Sequence, residues 1–231
     1  MKRVIFVLLV TVSFLFAGCL NDDDGYSMGD IWIGFGIVED EQSFRIKLDG
    51  GEILIPVAFS DYMSSAPMLK TGDRVFLNYT VLDEKKNDVD SIEAYYVKIN
   101  DYEKVLMKGI LDITDAIEDS IGNDPIIVLD HWVSNNLLNL KLKYWGEQKK
   151  HYINLVKEPW ILTAGDQPFE LELRHNDNDD NQSIAFVSFV SFKLDSLKIA
   201  GLDSVRFKVS SKNYNNETIT FEKVYKYSEN N

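Results

Sequence analysis

Apolar and polar residues alternate with period two along most of this chain. Phe44, Ile46 and Leu48 alternate with Arg45, Lys47 and Asp49, and Asp49-Gly50-Gly51 then supplies residues that tolerate the positive φ of a hairpin turn. The return strand sets Ile53, Ile55 and Val57 on one face. Val75, Leu77, Tyr79 and Val81 alternate with Arg74, Phe76, Asn78 and Thr80. Further strands are expected over 31–39 and 92–99, with 105–111 as the last of the set. Five or six strands in roughly 80 residues fit a small barrel. Gly34-x-Gly36 has no helix after it, so it reads as a bend or bulge in the first strand and not as a phosphate loop.

The pattern breaks at 112–124, DITDAIEDSIGND, which carries five acids and runs into Pro125. This stretch reads as a linker with at most a single helical turn, and a domain boundary belongs there. Strands then resume. Pro125 to Asp130 is short and apolar; Leu138, Leu140, Leu142 and Tyr144 alternate with polar neighbours. Trp145 to Lys149 looks like a hairpin turn, with His151 to Val156 returning from it. Phe169, Leu171 and Leu173 form another apolar face, and Ile184 to Leu194 is apolar enough for a central strand covered on both sides. Val205, Phe207 and Val209 alternate again, and 219–227 closes the chain. Seven strands in about 100 residues suggest a β-sandwich. There is no internal repeat and no helical period sustained over three turns, so the fold class is all-β.

The N-terminus reads as an address. Lys2 and Arg3 precede a 14-residue apolar stretch, Val4 to Ala17, in the charge–apolar–small order of a secretory signal peptide. At about 1.5 Å per residue such a stretch falls short of the ~30 Å hydrocarbon core, so a permanent transmembrane helix is not expected. Phe16-Ala17-Gly18-Cys19 resembles a bacterial lipobox, in which the thiol is lipidated and the chain is cut before it; Phe16 departs from the usual Leu. Cys19 is the only cysteine, so the mature chain has no disulfide. Two or three acyl chains on it form a stable anchor where a single chain would not. Asn21, Asp22, Asp23 and Asp24 follow as a solvated acidic tether, and they also resemble the export signal of surface lipoproteins in certain diderm gut anaerobes. The expected location is the outer membrane, facing the cell surface, with the periplasmic face as the alternative.

Charge narrows the partners. The chain carries 24 Lys+Arg against 37 Asp+Glu, a net −13. Between 31 and 109 there are fourteen acids and nine basic residues. Nucleic acid, which demands a basic footprint, is therefore not an expected partner.

No catalytic constellation stands out, so the chain is not expected to be an enzyme. There is no G-x-S-x-G, and Cys19 is taken by the lipid. His131, His151 and His175 form no H-x-x-x-H pair, so no metal site is assigned and no cofactor is expected. Asn176 to Asn181 is a conspicuous polar run, but an EF-hand register from Asp177 puts Gln182 and Ser188 where glycine and glutamate are needed. A long hairpin loop explains it better. Among the tryptophans, Trp32 and Trp132 read as core, while Trp145, beside a turn, is the candidate ligand contact.

Several motifs together resemble the NigD-like lipoproteins. They are Cys19 followed by Asn21 to Asp30; Gly72-Asp73-Arg74-Val75 with Asn78-Tyr79-Thr80; Ser120 to Ile126; and His151 to Val156. The resemblance implies an N-terminal OB-like barrel and a C-terminal immunoglobulin-like sandwich. The resulting division is a lipoprotein signal peptide at 1–18, an acidic tether at 19–29, an OB-like barrel at 30–111, a linker at 112–124 and a sandwich at 125–228. The family's namesake is linked to a bacteriocin cluster, for which an immunity role has been proposed, and the family supplies no catalytic residues to carry over. The leading expectation is a lipid-anchored, non-enzymatic envelope protein that binds a protein partner, with bacteriocin immunity as its use. The alternatives are a surface glycan-binding module, since OB folds do bind oligosaccharides, and a structural envelope component.

Overall fold

A computed structural model describes residues 27, 29–40, 44–60, 68–159 and 161–227. Cys19, the run Asn21 to Asp24 and Trp160 lie outside the described residues. The chain is all-β, an OB-type barrel followed by an immunoglobulin-like sandwich.

The barrel is built from β1 (Trp32–Asp40), β2 (Arg45–Leu48), β3 (Ile53–Phe59), β4 (Arg74–Lys86) and β5 (Ile92–Lys104). It closes in the order β1-β2-β3-β5-β4, with β3 and β5 parallel and the other neighbours antiparallel. Closure leaves no free edge, and each strand turns one side to the interior. Ile46 and Leu48 from β2 and Val75, Leu77, Tyr79 and Val81 from β4 fill it, on the faces the alternation indicates. On β3 the phase is the opposite of the expected one. Leu54 is buried in the barrel, whereas Val57 is exposed, because Leu54 sits opposite Ile46 in the ladder and shares its inward face. Gly36 marks a close approach more than a bend, since a Cβ there would lie 2.8 Å from Ile46 Cγ2 and 2.9 Å from the Lys47 carbonyl oxygen. The irregularity in β1 falls instead between Val38 and Asp40.

The sandwich has a four-stranded sheet, β6-β12-β9-β8, and a five-stranded sheet, β14-β13-β11-β10-β7. Its strands are β6 (Leu106–Gly109), β7 (Leu111–Asp112), β8 (Ile127–Ser134), β9 (Leu137–Gly146), β10 (Tyr152–Lys157), β11 (Phe169–Asn176), β12 (Ile184–Lys193), β13 (Ser204–Lys212) and β14 (Thr218–Lys226). The core holds the alternating residues read from the sequence, among them Leu138, Leu140, Leu142, Phe169, Leu171, Leu173, Val205, Phe207 and Val209.

Three connections differ from the expectation. Residues 105–111 do not end the barrel. Leu106–Gly109 runs parallel to β12 in one sheet, and Leu111–Asp112 runs parallel to β10 in the other. The chain leaving the barrel is thereby stitched into both layers. The segments Trp145–Lys149 and Asn176–Asn181 are not hairpin turns, because β9 and β10, like β11 and β12, belong to different sheets. Alternation reports which residues share a face, but not which sheet a strand joins. Finally, β12 is covered only along its second half. β6 pairs it at Val190–Lys193, and Ile184 and Val187 remain exposed.

The acidic stretch 112–124 contains the one helical turn expected, α1 (Glu118–Ile121), with Ile121 buried. It lies on the sandwich. Gly122 O accepts from Arg174 Nε at 2.7 Å, and Asp124 N donates to His175 O at 2.7 Å. Gly122 has φ 71°, and a Cβ there would meet Asn176 Cβ at 2.7 Å and Asn176 Cα at 2.9 Å. Both the backbone angle and the backbone neighbour exclude a side chain. Gly122→Ala is expected to lower unfolding stability by about 1–3 kcal/mol. Urea denaturation checks this, and an unchanged midpoint contradicts it.

Candidate functional site

The turn between β2 and β3 carries two carboxylates, Asp49 and Glu52. Asp49 faces the sandwich. Arg74, at the start of β4 and 1% exposed, donates Nη1 to Asp49 Oδ1 at 2.5 Å and Nη2 to Asp49 Oδ2 at 2.7 Å. Its Nη2 also reaches Asn139 Oδ1 at 2.9 Å in β9. From the sandwich, Ser134 Oγ donates to Asp49 Oδ2 at 2.6 Å and Asn135 Nδ2 to Asp49 Oδ1 at 3.1 Å. Ser191 Oγ and Ser134 Oγ then bond the two ends of the Asn139 amide, at 2.7 and 2.9 Å. Asn135 and Asn136 both have positive φ, as a two-residue turn between β8 and β9 demands, and this turn brings Ser134 and Asn135 to the carboxylate. Burial opposes the Asp49 charge. The bonds from Arg74 and Ser134 and the guanidinium's own charge outweigh that and hold the carboxyl below its usual range. An apolar cluster surrounds the ion pair: Phe35 and Phe76 of the barrel pack on Phe189 at ring separations of 4.9 and 5.3 Å, and Phe35 on Trp132 at 5.2 Å.

On the other side of the same turn a pocket of about 380 Å³ opens, within the size range of small-molecule sites. Trp32, Tyr79 and Tyr95 line it together with Gly34, Leu48 and Glu52. Trp32 was expected in the core; it is 49% exposed, because it stands at the first position of β1, where the barrel interior ends. Ile33 next to it is 65% exposed. Glu52 makes no side-chain hydrogen bond or ion pair with a described residue. The Tyr79 phenol is pushed up by burial and by the negative charge of Glu52. The signal for this site was present in Ile31-Trp32-Ile33: three consecutive apolar residues opening a period-two strand must leave at least one outside.

Trp145, the candidate read from the sequence, is half-buried. Its ring meets Tyr214 edge-on at 4.6 Å, Lys143 Nζ lies 4.7 Å from its centroid, and its backbone N–H donates to Tyr214 Oη at 3.1 Å. It is tied into the surface and lies apart from the pocket. Trp132, expected in the core, sits at the junction of the two domains.

The structure brings two of the three histidines together. His151 Nδ1 lies 2.9 Å from His175 Nε2, His151 Nε2 lies 3.3 Å from Asp180 Oδ2, and His175 Nδ1 lies 2.9 Å from Pro125 O. The chain of contacts ends on acceptors at both sides, the Asp180 carboxylate and the Pro125 carbonyl. Burial pushes the His175 imidazole down, which favours its neutral form donating from Nδ1. Backbone N–H groups of Glu147 and Gln148 hold Asp180 well below the carboxylate range. These groups bond one another and do not converge on a point. Among the described residues no group of three His, Cys, Asp or Glu is placed to hold a metal. His131, on β8, stacks on Phe221 of β14 at 3.9 Å and closes one open edge of the sandwich.

Residues 109–224 match the family model for the NigD-like C-terminal beta sandwich domain, and the chain belongs to the NigD-like family. No curated protein matches it. Among solved structures it is similar to a candidate toxin-related protein of Parabacteroides distasonis, with 28% identity, TM-score 0.68 and coverage of 85% of this chain and 94% of that one. A Bacteroides vulgatus protein of unknown function is similar at 29% identity and TM-score 0.67, over 87% and 92% of the two chains. A NigD-like immunity protein of Bacteroides caccae shares the fold at 19% identity and TM-score 0.64, over 86% and 99%.

Two of the depressed groups, His175 and Asp49, shape the pH profile of stability. A folded-state His175 pKa below 6.5 means the unfolded chain takes up its proton first, so that contribution is complete above about 6.5 and erodes as the pH falls. The Asp49 contribution is complete above about 4 and is lost as the pH falls through its lowered folded value. Urea midpoints measured from pH 7 to pH 3 are expected to drop in two stages, with His175→Gln shrinking only the first, to which the lowered His131 also contributes. A wild-type profile that is flat from pH 7 to 5 contradicts the reading.

Proposed function

We propose that this chain is a non-enzymatic binding protein of the bacterial envelope, held to the outer membrane by lipid on Cys19, with Asn21 to Asp24 acting as the signal that takes it to the cell surface. Its use is immunity to a bacteriocin-type toxin, and its contact site is the barrel pocket. The observation that carries the reading is that pocket, whose floor turn is bound to the second domain by the bonds of Ser134 and Asn135 to Asp49. A rigid turn presents Trp32, Tyr95 and Glu52 in a fixed geometry, which suits recognition, because a preorganised surface loses little entropy on binding. Family membership supports the immunity use, as does the toxin-related description of a relative at 28% identity.

Deleting the gene and challenging the strain with toxins secreted by its neighbours tests the use. Sensitivity that rises at least tenfold, returns to baseline with the wild-type gene and stays high with a Cys19→Ser copy is the expected result. Unchanged sensitivity to every toxin contradicts immunity. A Cys19→Ser product that still partitions into detergent with the envelope contradicts the anchor.

A further inference from the structure

The barrel pocket has a chemical bias that the binding-protein reading does not use. Its lining contains two carboxylates and no basic side chain. Asp49 is neutralised by Arg74, the two forming a bidentate pair with the guanidinium turned away from solvent. Glu52 is not neutralised; no described residue pairs with its carboxylate, and its negative charge is felt by the Tyr79 phenol. Trp32, Tyr79 and Tyr95 line the same pocket, and aromatic faces are electronegative. An aromatic enclosure with one unpaired carboxylate favours a cation. A neutral sugar would gain the stacking but draw nothing from the charge. An anion would be repelled.

We infer that the pocket takes a single cationic side chain, the guanidinium or ammonium of an arginine or lysine presented by a basic peptide segment of the partner. This rests on the reading of the chain as a binding protein and names the partner's chemistry. Ile31 and Ile33 rise beside the pocket as exposed apolar shoulders, at 63% and 65% exposure, and suit apolar residues flanking the cation. The net charge of −13 adds a long-range attraction for a basic segment and speeds encounter at low salt.

The test uses the full mature chain in neutral detergent, titrated with tetra-arginine amide and followed by calorimetry and tryptophan fluorescence. Tetra-glutamate and a maltohexaose serve as comparison probes. Saturable one-to-one binding of tetra-arginine is expected, weakened about tenfold by Glu52→Gln and by Trp32→Ala. Asp203→Asn, which removes an exposed acid of the sandwich, is expected to leave it unchanged, with the same melting temperature in all three variants. Equal weakening by Asp203→Asn and Glu52→Gln would mean general charge adhesion and overturns the assignment. Maltohexaose binding that Trp32→Ala abolishes, without tetra-arginine binding, makes the pocket a glycan site and also overturns it. Absence of any tetra-arginine binding overturns it as well. If toxin protection persists in that case, the envelope reading stands and only the ligand assignment falls.

Discussion

The two domains meet at a buried ion pair of the barrel, Asp49–Arg74, both members of which are hydrogen-bonded by the sandwich. Placing a guanidinium at 1% exposure between a barrel and a sandwich is expensive, and only near-ideal geometry compensates. That geometry is present: a two-point contact with Asp49, a third bond to Asn139, and Ser134 and Asn135 completing the carboxylate's shell. One donor, Arg74 Nε, is left buried and without a partner, and the guanidinium lies 5.4 Å from the Phe35 centroid. Two hydrophobic plugs alone could slide past one another. The bonds of Ser134 and Asn135 to Asp49 and of Arg74 to Asn139 fix one register. The turn that supplies Asp49 also supplies Glu52, so the rigidity of the junction extends to the wall of the pocket.

The motifs behind the family resemblance turn out to be joints. Gly72-Asp73-Arg74-Val75 contains the latch cation and Asp73, which pairs with Lys104 at 2.6 Å and accepts from Lys70 N at 2.8 Å. Ser120 to Ile126 contains Gly122, which no larger residue can replace without pushing on Asn176, and Pro125, whose carbonyl receives His175. His151 to Val156 starts with the other half of the histidine pair. Their chemistry holds sheets and domains in place. The pocket draws mainly on other positions, Trp32, Glu52 and Tyr95.

Strands were the most legible level. Period two located the buried faces of β2, β4, β9, β11 and β13, because each turns one side to a core and the other to solvent. Pairing was less legible. Nothing in the alternation of 105–111 says that it abandons the barrel, since the decision belongs to partners more than 40 residues away. The candidate site was read poorly for a related reason. Trp145 beside an apparent turn looked free, but Tyr214, far along the chain, covers it. Trp32 looked like core because the run Ile31-Trp32-Ile33 requires one apolar residue outside but does not show that the barrel interior stops short of all three. Asp49 was legible as a turn residue and illegible as a latch, because its partners lie in β4, β8 and the turn that follows β8.

The account depends most on Arg74 joining the domains, and hydrogen exchange of the Arg74→Met chain examines this directly. Methionine keeps most of the volume and removes the fork, which leaves Asp49 without its counter-charge at a cost of about 3–5 kcal/mol. The account predicts that amides of β1 to β5, and of the 49–52 turn above all, exchange at least tenfold faster than in the wild type while those of β9, β11 and β13 keep their protection. Uniform protection across both domains, unchanged from the wild type, would contradict it.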